Sequence, residues 1–325
     1  MSDRARQRGV ALVLALLVVA LLTATILPFL YDGRVERSVA ANLYTGLQAA
    51  TLAASGVEVA EALLRQDAAD DANPQAKKPH PYAYDGLDEI WARYNDLPLA
   101  VAGGVVSLAV ADEGGKINLN NLVSPTGPPN EFWLQAVRRL LARREQDPAL
   151  VEPLVDWLDR DSQPFGFGGA EESYYLGLTP PYRPADGPLA TVAELRLVKG
   201  WTPEVVAAVT PFVTVARTPT PVNLNTAPAE VLAALADGMS EACVRALVET
   251  RQRTPLRTVT EVGQVPGCSG LDTQALGRPG TASVTSRLFS VVVTASFRDS
   301  RAVVRAILER QPGGRGVIRR YWRAE

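Results

Sequence analysis

Residues 10–30 read VALVLALLVVALLTATILPFL, an apolar run with no charge between Arg8 and Asp32. Its 21 residues rise about 31 Å as a helix, the thickness of one hydrocarbon core. Arg4, Arg6 and Arg8 precede it, and the positive-inside rule keeps that basic end cytoplasmic and carries the rest of the chain across the membrane. Secretory cleavage after the run would need small residues there, but the run closes on Ile26-Leu27-Pro28-Phe29-Leu30-Tyr31. Two readings remain: an uncleaved signal anchor, or a cut ahead of the run, between Gly9 and Val10, that leaves the helix on the mature protein. Pro28 predicts a kink or local melt.

Beyond the span, Val35, Val39, Leu43, Leu47, Ala50, Ala54, Val57 and Leu64 recur at helical spacing, which predicts a continuing amphipathic helix packed on a globular domain. Residues 67–86, rich in Pro, Asp and Ala, read as an exposed loop carrying a solvated His80. A short helix over 87–94 points Trp91 to the core. Residues 101–110 and 116–120 read as strands around the turn Asp112-Glu113-Gly114-Gly115, and 287–297 with 301–310 as a β-hairpin. Residues 311–325, with Gly313, Gly314 and Gly316, read as a tail.

Helical patterns fill about 121–280. They start from two similar segments, Lys116-Ile117-Asn118-Leu119-Asn120 and Pro221-Val222-Asn223-Leu224-Asn225, which suggest two helical lobes, about 121–217 and 218–280. Thr226 reads as the N-cap of the helix that follows the second copy.

Composition removes several chemistries. The 325 residues hold one histidine and two cysteines, too few for a multi-histidine zinc site or a four-cysteine cluster. Net charge is −2, which argues against bulk nucleic-acid binding. Cys243 and Cys268 could form one disulfide or stay as two thiols; spacing leaves both open. The sharpest polar cluster is Asp156-Trp157-Leu158-Asp159-Arg160-Asp161, then glycines at 166, 168 and 169, then Glu171-Glu172. Oxygen ligands across a glycine loop suit Ca²⁺; a helix end followed by a solvated acidic loop suits the same residues. Helix–Gly–helix runs at 197–201 (LVKGW) and 265–268 (VPGC) resemble helix-hairpin-helix elements, whose amides can hold phosphate. They make a membrane-anchored periplasmic DNA receptor the alternative function, without a basic cluster to support it.

The basic head ending in Gly9, the apolar helix and its amphipathic continuation resemble a type IV prepilin or pseudopilin. Leu14, at the fifth position after Gly9, stands where most members carry glutamate. Together with the doubled Asn-Leu-Asn and the Asp-Trp-x-Asp-x-Asp segment, this resembles the large minor pseudopilin (K) family of type II secretion. The resemblance implies an α+β fold: a pilin-like N-terminal transmembrane and amphipathic helix packed on a small antiparallel sheet, with a large all-helical insertion. The segments are then a leader (1–9), a membrane helix (10–30), the amphipathic helix and first strands (31–120), the insertion (121–280), a hairpin (281–310) and the tail (311–325). It also implies a non-enzymatic subunit of the inner membrane with a periplasmic domain, cut after Gly9 by a prepilin peptidase and methylated at Val10. Such a subunit sits at a pseudopilus tip with other minor pseudopilins, where it helps start assembly and meets the secretin or an exported protein. Structural Ca²⁺ at Asp159, Asp161 and Glu171, with Asp156 and Glu172 as weaker candidates, completes the expectation; nucleic acid is not an expected partner.

Overall fold

The structure, a computed structural model, describes residues 3–73, 75, 80, 82–93, 95–124, 128–311 and 316–324. Helix α1 (Asp3–Ala72) runs 70 residues without a break. It passes through Pro28, although proline has no N–H to reach the Ala24 carbonyl. The expected melt is absent. Thr23 and Thr25 return their hydroxyls to the carbonyls of Val19 and Leu21, so these two side chains are satisfied within the helix.

After α1 come α2 (Ile90–Arg93), β1 (Leu99–Val101), β2 (Gly104–Asp112) and β3 (Ile117–Asn118). The helical stretch contains α3 (Glu131–Arg143), α4 (Val151–Leu158), α5 (Glu172–Leu176), α6 (Pro203–Val209), β4 (Val213–Thr214), β5 (Val222–Asn223), α7 (Ala229–Leu235), α8 (Glu241–Arg253), α9 (Thr273–Leu276) and β6 (Ala282–Ser283). The chain returns through β7 (Leu288–Phe297), β8 (Ser300–Arg310) and β9 (Val317–Ala324). Strands β1, β2, β7, β8 and β9 form one antiparallel sheet in that order. The helical stretch is therefore an insertion between two adjacent strands, β2 and β7, registered from Val105↔Ser296 to Asp112↔Phe289.

Strand β9 corrects the expected tail: it pairs with β8 from Arg310↔Val317 to Val304↔Ala324. Arg319, Arg320 and Arg323 break the apolar alternation, because an edge strand exposed over most of its length needs none. Gly313 and Gly314 lie outside the described residues.

The phase of α1 is a second correction. The sheet covers Ala49, Ala53, Val57, Ala60 and Leu64, a stripe at the helical period. Val35, Val39, Leu43 and Leu47, read from sequence as part of the packed stripe, are exposed. The small face wins because it admits the sheet closely: a Cβ on Gly56 would stand 2.5 Å from Cγ1 of Val293. Residues 67–72 are also helix and not loop, and Asp67 is buried. His80 stacks on Tyr82 with ring centroids 5.5 Å apart, and its Nε2 lies 3.9 Å from Asp88. The body core joins that stripe to Phe289, Val291 and Val293 of β7 and Val304, Ala306 and Leu308 of β8. Trp91 packs edge-on to Phe289 at 5.2 Å.

The insertion has its own core and is built twice on one plan. In lobe 1, β3 pairs in parallel with β4; in lobe 2, β5 pairs in parallel with β6. The doubled Asn-Leu-Asn explains the likeness. Asn120 bonds both the N–H and the carbonyl of Leu189, and Asn225 bonds both those of Leu256. Each clamped residue leads into a short 3₁₀ turn, Val192–Leu197 or Val259–Gln264. Glu194 caps the N–H of Ala190 at 2.8 Å, and Glu261 caps that of Arg257 at 2.8 Å. Each turn is followed by a glycine at positive φ, Gly200 (+79°) or Gly267 (+84°), where a side chain would be strained. Thr226 does not cap α7; its hydroxyl donates to Asp112.

Candidate metal centre

Helix α4 ends at Leu158, and the chain turns out into a loop that returns at α5. Asp156, fully buried, accepts from the N–H groups of Phe165 and Ala170 and so pins both ends of the glycine stretch. Glu152 accepts from the N–H of Gly168 at 2.7 Å, and Lys199 donates to the carbonyls of Gly168 and Gly169. This fixed loop places Asp159, Asp161 and Glu171 so that one carboxylate oxygen from each lies within 4.8 Å of the other two. Asp161 is exposed, Asp159 half-buried and Glu171 buried. One oxygen of Asp159 (Oδ1) and one of Glu171 (Oε1) are buried without a hydrogen-bond partner. Burial, then the charges of Asp161 and Asp156, push the Asp159 carboxyl up to about 6. Burial, then Asp156, Asp159 and Asp161, push Glu171 up to about 7. Buried anionic oxygens with no donor lack what ordinarily stabilises them, and a divalent cation supplies it with oxygen ligands of the right hardness.

Of the five acids singled out in the sequence, the geometry joins Asp159, Asp161 and Glu171. Asp156 is committed to backbone amides, and Glu172 pairs with Arg183 at 2.8 Å on the surface. Sequence reasoning missed Asp186, whose charge acts on both Asp159 and Glu171. Its only signal was the turn Pro184-Ala185-Asp186-Gly187, separated from the others along the chain.

A second acidic set has another chemistry. Asp67 of α1, Asp85 and Glu89 also bring one oxygen each within 4.8 Å, but the Arg310 guanidinium bonds Asp67 and Asp85 and supplies the cation itself. Burial, then Asp67 and Asp85, push Glu89 up to about 9, so it keeps its proton at neutral pH. Asp85 accepts from the N–H of Ser286, Ser286 donates to Asp112, and Asp112 takes Asn223 and Thr226. This chain of bonds ties α1 and β8 to lobe 2.

Cys243 and Cys268 are joined by a disulfide, with Cα atoms 4.7 Å apart. It staples α8 to the segment after the second glycine turn. At the first glycine turn, Lys199 faces the glycine loop and the Tyr174 ring, and Trp201 donates to the Leu150 carbonyl.

Two family models match the chain, both described as type II secretion system protein K, one over residues 115–218 and the other over 222–280. They coincide with the two lobes. Type II secretion system protein K of Pseudomonas aeruginosa is 32% identical over 318 residues, covering 96% of this chain and 91% of its own length. The Klebsiella pneumoniae protein of the same name is 30% identical over 342 residues, covering 98% and 99%. Among solved structures, a chain of the GspK-GspI-GspJ complex of the enterotoxigenic Escherichia coli type 2 secretion system aligns with a TM-score of 0.72 at 21% identity, covering 89% of this chain and 99% of that one.

Proposed function

The chain belongs to the type II secretion system protein K family, and from that premise we propose that it is a minor pseudopilin working at the tip of a pseudopilus. Residues 10–30 anchor it in the bacterial inner membrane, with the basic head cytoplasmic and the sheet and lobes periplasmic. The observation that carries this reading is the unburied apolar surface of α1. Residues 10–30 of this helix are apolar and exposed throughout, which a bilayer accommodates and water does not. Beyond it, Val35, Val39, Leu43 and Leu47 stay exposed while the sheet covers the other face. Such a stripe fits neighbouring helices of the same kind. Two smaller minor pseudopilins fill that role, as GspI and GspJ accompany GspK in the solved complex. The role is structural and non-catalytic: starting assembly and presenting the lobes to the secretin or an exported protein.

Cleavage between Gly9 and Val10 by a prepilin peptidase, with methylation of the new terminus, belongs to the same reading. Leu14 suits a subunit that has no neighbour on one side, since a glutamate there would need a partner inside the membrane. We also propose that Asp159, Asp161 and Glu171 hold Ca²⁺, which offsets the repulsion among three carboxylates and fixes the loop between α4 and α5.

The test is co-expression of the full-length chain with the two smaller minor pseudopilins, followed by gel filtration in detergent. One complex containing all three is expected. Homopolymers, or elution apart from both partners, would contradict the tip assignment. N-terminal sequencing should begin at Val10; a start beyond Leu30 would defeat the pilin-like reading.

A further inference from the structure

Residues 84–89, which lead into α2, join the long helix to lobe 2 and to the chain leaving it. On one side, the N–H of Asp85 reaches the carbonyl of Val284, its carboxylate takes the N–H of Ser286, and its carbonyl takes the side-chain amide of Asn223. On the other side, this segment meets Asp67 of α1 and Arg310 of β8. Four side chains close the joint, Asp67, Asp85, Glu89 and Arg310, and none is more than 6% exposed. Water therefore cannot solvate their charges, and they must satisfy one another.

The charges do not balance if all four are ionised. Three carboxylates bring one oxygen each within 4.8 Å of the others, and Arg310 is directed at two of them, Asp85 through Nη1 and Asp67 through Nη2. Glu89 receives neutral donors: its Oε2 takes the N–H of Gly86 and the indole N–H of Trp91, both at 3.1 Å. The Glu89 carboxyl also lies within hydrogen-bonding reach of Asp67. Two ionised carboxylates repel at that range, whereas one proton between them makes a bond. Arg310 holds Asp67 in its charged form, so the proton belongs on Glu89. The ionisable groups facing Glu89 are Asp67 of α1, Tyr84 and Asp85 of its own segment, and Arg310 of β8. Asp112 of β2 stands beyond Asp85, and lobe 2 brings only the neutral Asn223 and Thr226. Arg310 is the one cation in this set.

We propose that Glu89 and Asp67 share a single proton that clasps residues 84–89 to α1, and that alkaline conditions remove it and loosen the joint between the long helix and lobe 2. The clasp is a property of the fold and does not depend on the minor-pseudopilin reading. Its sign follows from the direction of the shift. The folded chain raises Glu89 to about 9, against an ordinary value of about 4. Stability from the proton is full below about pH 4 and is lost as pH rises through the folded value.

The experiment records infrared spectra of the full-length chain in detergent micelles across the alkaline range. At about pH 8 exposed carboxyls are ionised, so the C=O stretch of a protonated carboxyl marks a retained proton. The band is expected in the wild type, is lost on titration to about pH 10, and is absent at about pH 8 in Glu89→Gln, whose amide keeps a donor toward Asp67 without a proton to lose. Urea unfolding gives the second readout. With one extra proton bound in the native state, the folding constant of the wild type should fall about tenfold more per pH unit above neutrality than that of Glu89→Gln. If Glu89→Gln does not fold, Asp67→Asn decides, because removing the neighbouring charge should move the loss of the band to lower pH. No band in the wild type at about pH 8, a band that survives Glu89→Gln, equal pH slopes, or a band unmoved by Asp67→Asn would overturn the proposal.

Discussion

Lobe 1 (117–214) and lobe 2 (222–283) follow one plan and are fastened by different chemistry. Both begin at a parallel strand pair, use an asparagine to clamp a distant leucine, and turn at a glycine of positive φ. They differ in what lies between clamp and leucine: Asn120 and Leu189 are 69 residues apart, Asn225 and Leu256 only 31. The extra length of lobe 1 contains α4, the glycine loop and α5, with the three clustered carboxylates. Lobe 2 has no such excursion and is cross-linked by Cys243–Cys268. The short, compact lobe is closed covalently; the long excursion of lobe 1 is pinned by the bonds of Asp156, Glu152 and Lys199 to its glycine stretch, and the Ca²⁺ proposed at Asp159, Asp161 and Glu171 would add a second fastening.

Predictions follow from breaking each fastening in turn. Replacing Cys243 and Cys268 together by alanine should have the largest effect. The bond closes a loop with a separation of 25 residues, for which the chain-entropy relation gives about 3.5 kcal/mol. Denaturant unfolding of wild type and variant measures it, and protease nicking should move into α8 and spare α4. Next, Ca²⁺ at a hundredfold excess over its Kd should stabilise lobe 1 by about 2.7 kcal/mol, and Glu171→Gln or Asp159→Asn should remove the response. A calorimetric melt with and without chelator reads this directly.

The clamps should behave alike. Asn120→Ala and Asn225→Ala each strip a leucine of two backbone partners, at about 2 kcal/mol by the cost of unsatisfied polar groups; unequal losses in urea melts would show that the shared plan is not shared energetics. The smallest effect is in pH. Without metal, Asp159 and Glu171 have folded-state values of about 6 and about 7, above their ordinary range near 4. Stability from their protonation is full below about pH 4 and is lost as pH rises through those values. The loop should therefore exchange amide hydrogens faster at pH 8 than at pH 5, after correction for intrinsic rates, and Ca²⁺ should flatten the difference.

What the sequence made legible was what has a local period. The apolar run of 10–30, the hairpin of β7 and β8 and the amphipathic α3 follow from residues within a few positions of one another. Strand β9 was not legible, because an exposed edge carries no alternation and its arginines mimic a tail. The phase of α1 was misread because large side chains dominate a periodicity argument, while the sheet selects the small face of Ala49, Ala53 and Gly56. The last turns of α1 were hidden because the partner that buries Asp67 is Arg310, 243 residues away. At the candidate metal centre, Asp159 and Asp161 showed themselves by spacing. Glu171 was already named with them from the family resemblance; the convergence of the three carboxylates within 4.8 Å and the charge of Asp186 acting on two of them exist only in three dimensions.

The central claim, one plan fastened two ways, is tested most directly by hydrogen exchange and mass spectrometry on the full chain in detergent, with Ca²⁺ and reductant varied independently. The account predicts that Ca²⁺ slows exchange over 159–187 and leaves 241–268 unchanged, and that reductant speeds exchange over 241–268 and leaves 159–187 unchanged. Exchange over 159–187 that ignores Ca²⁺, or that follows the reductant, would contradict it.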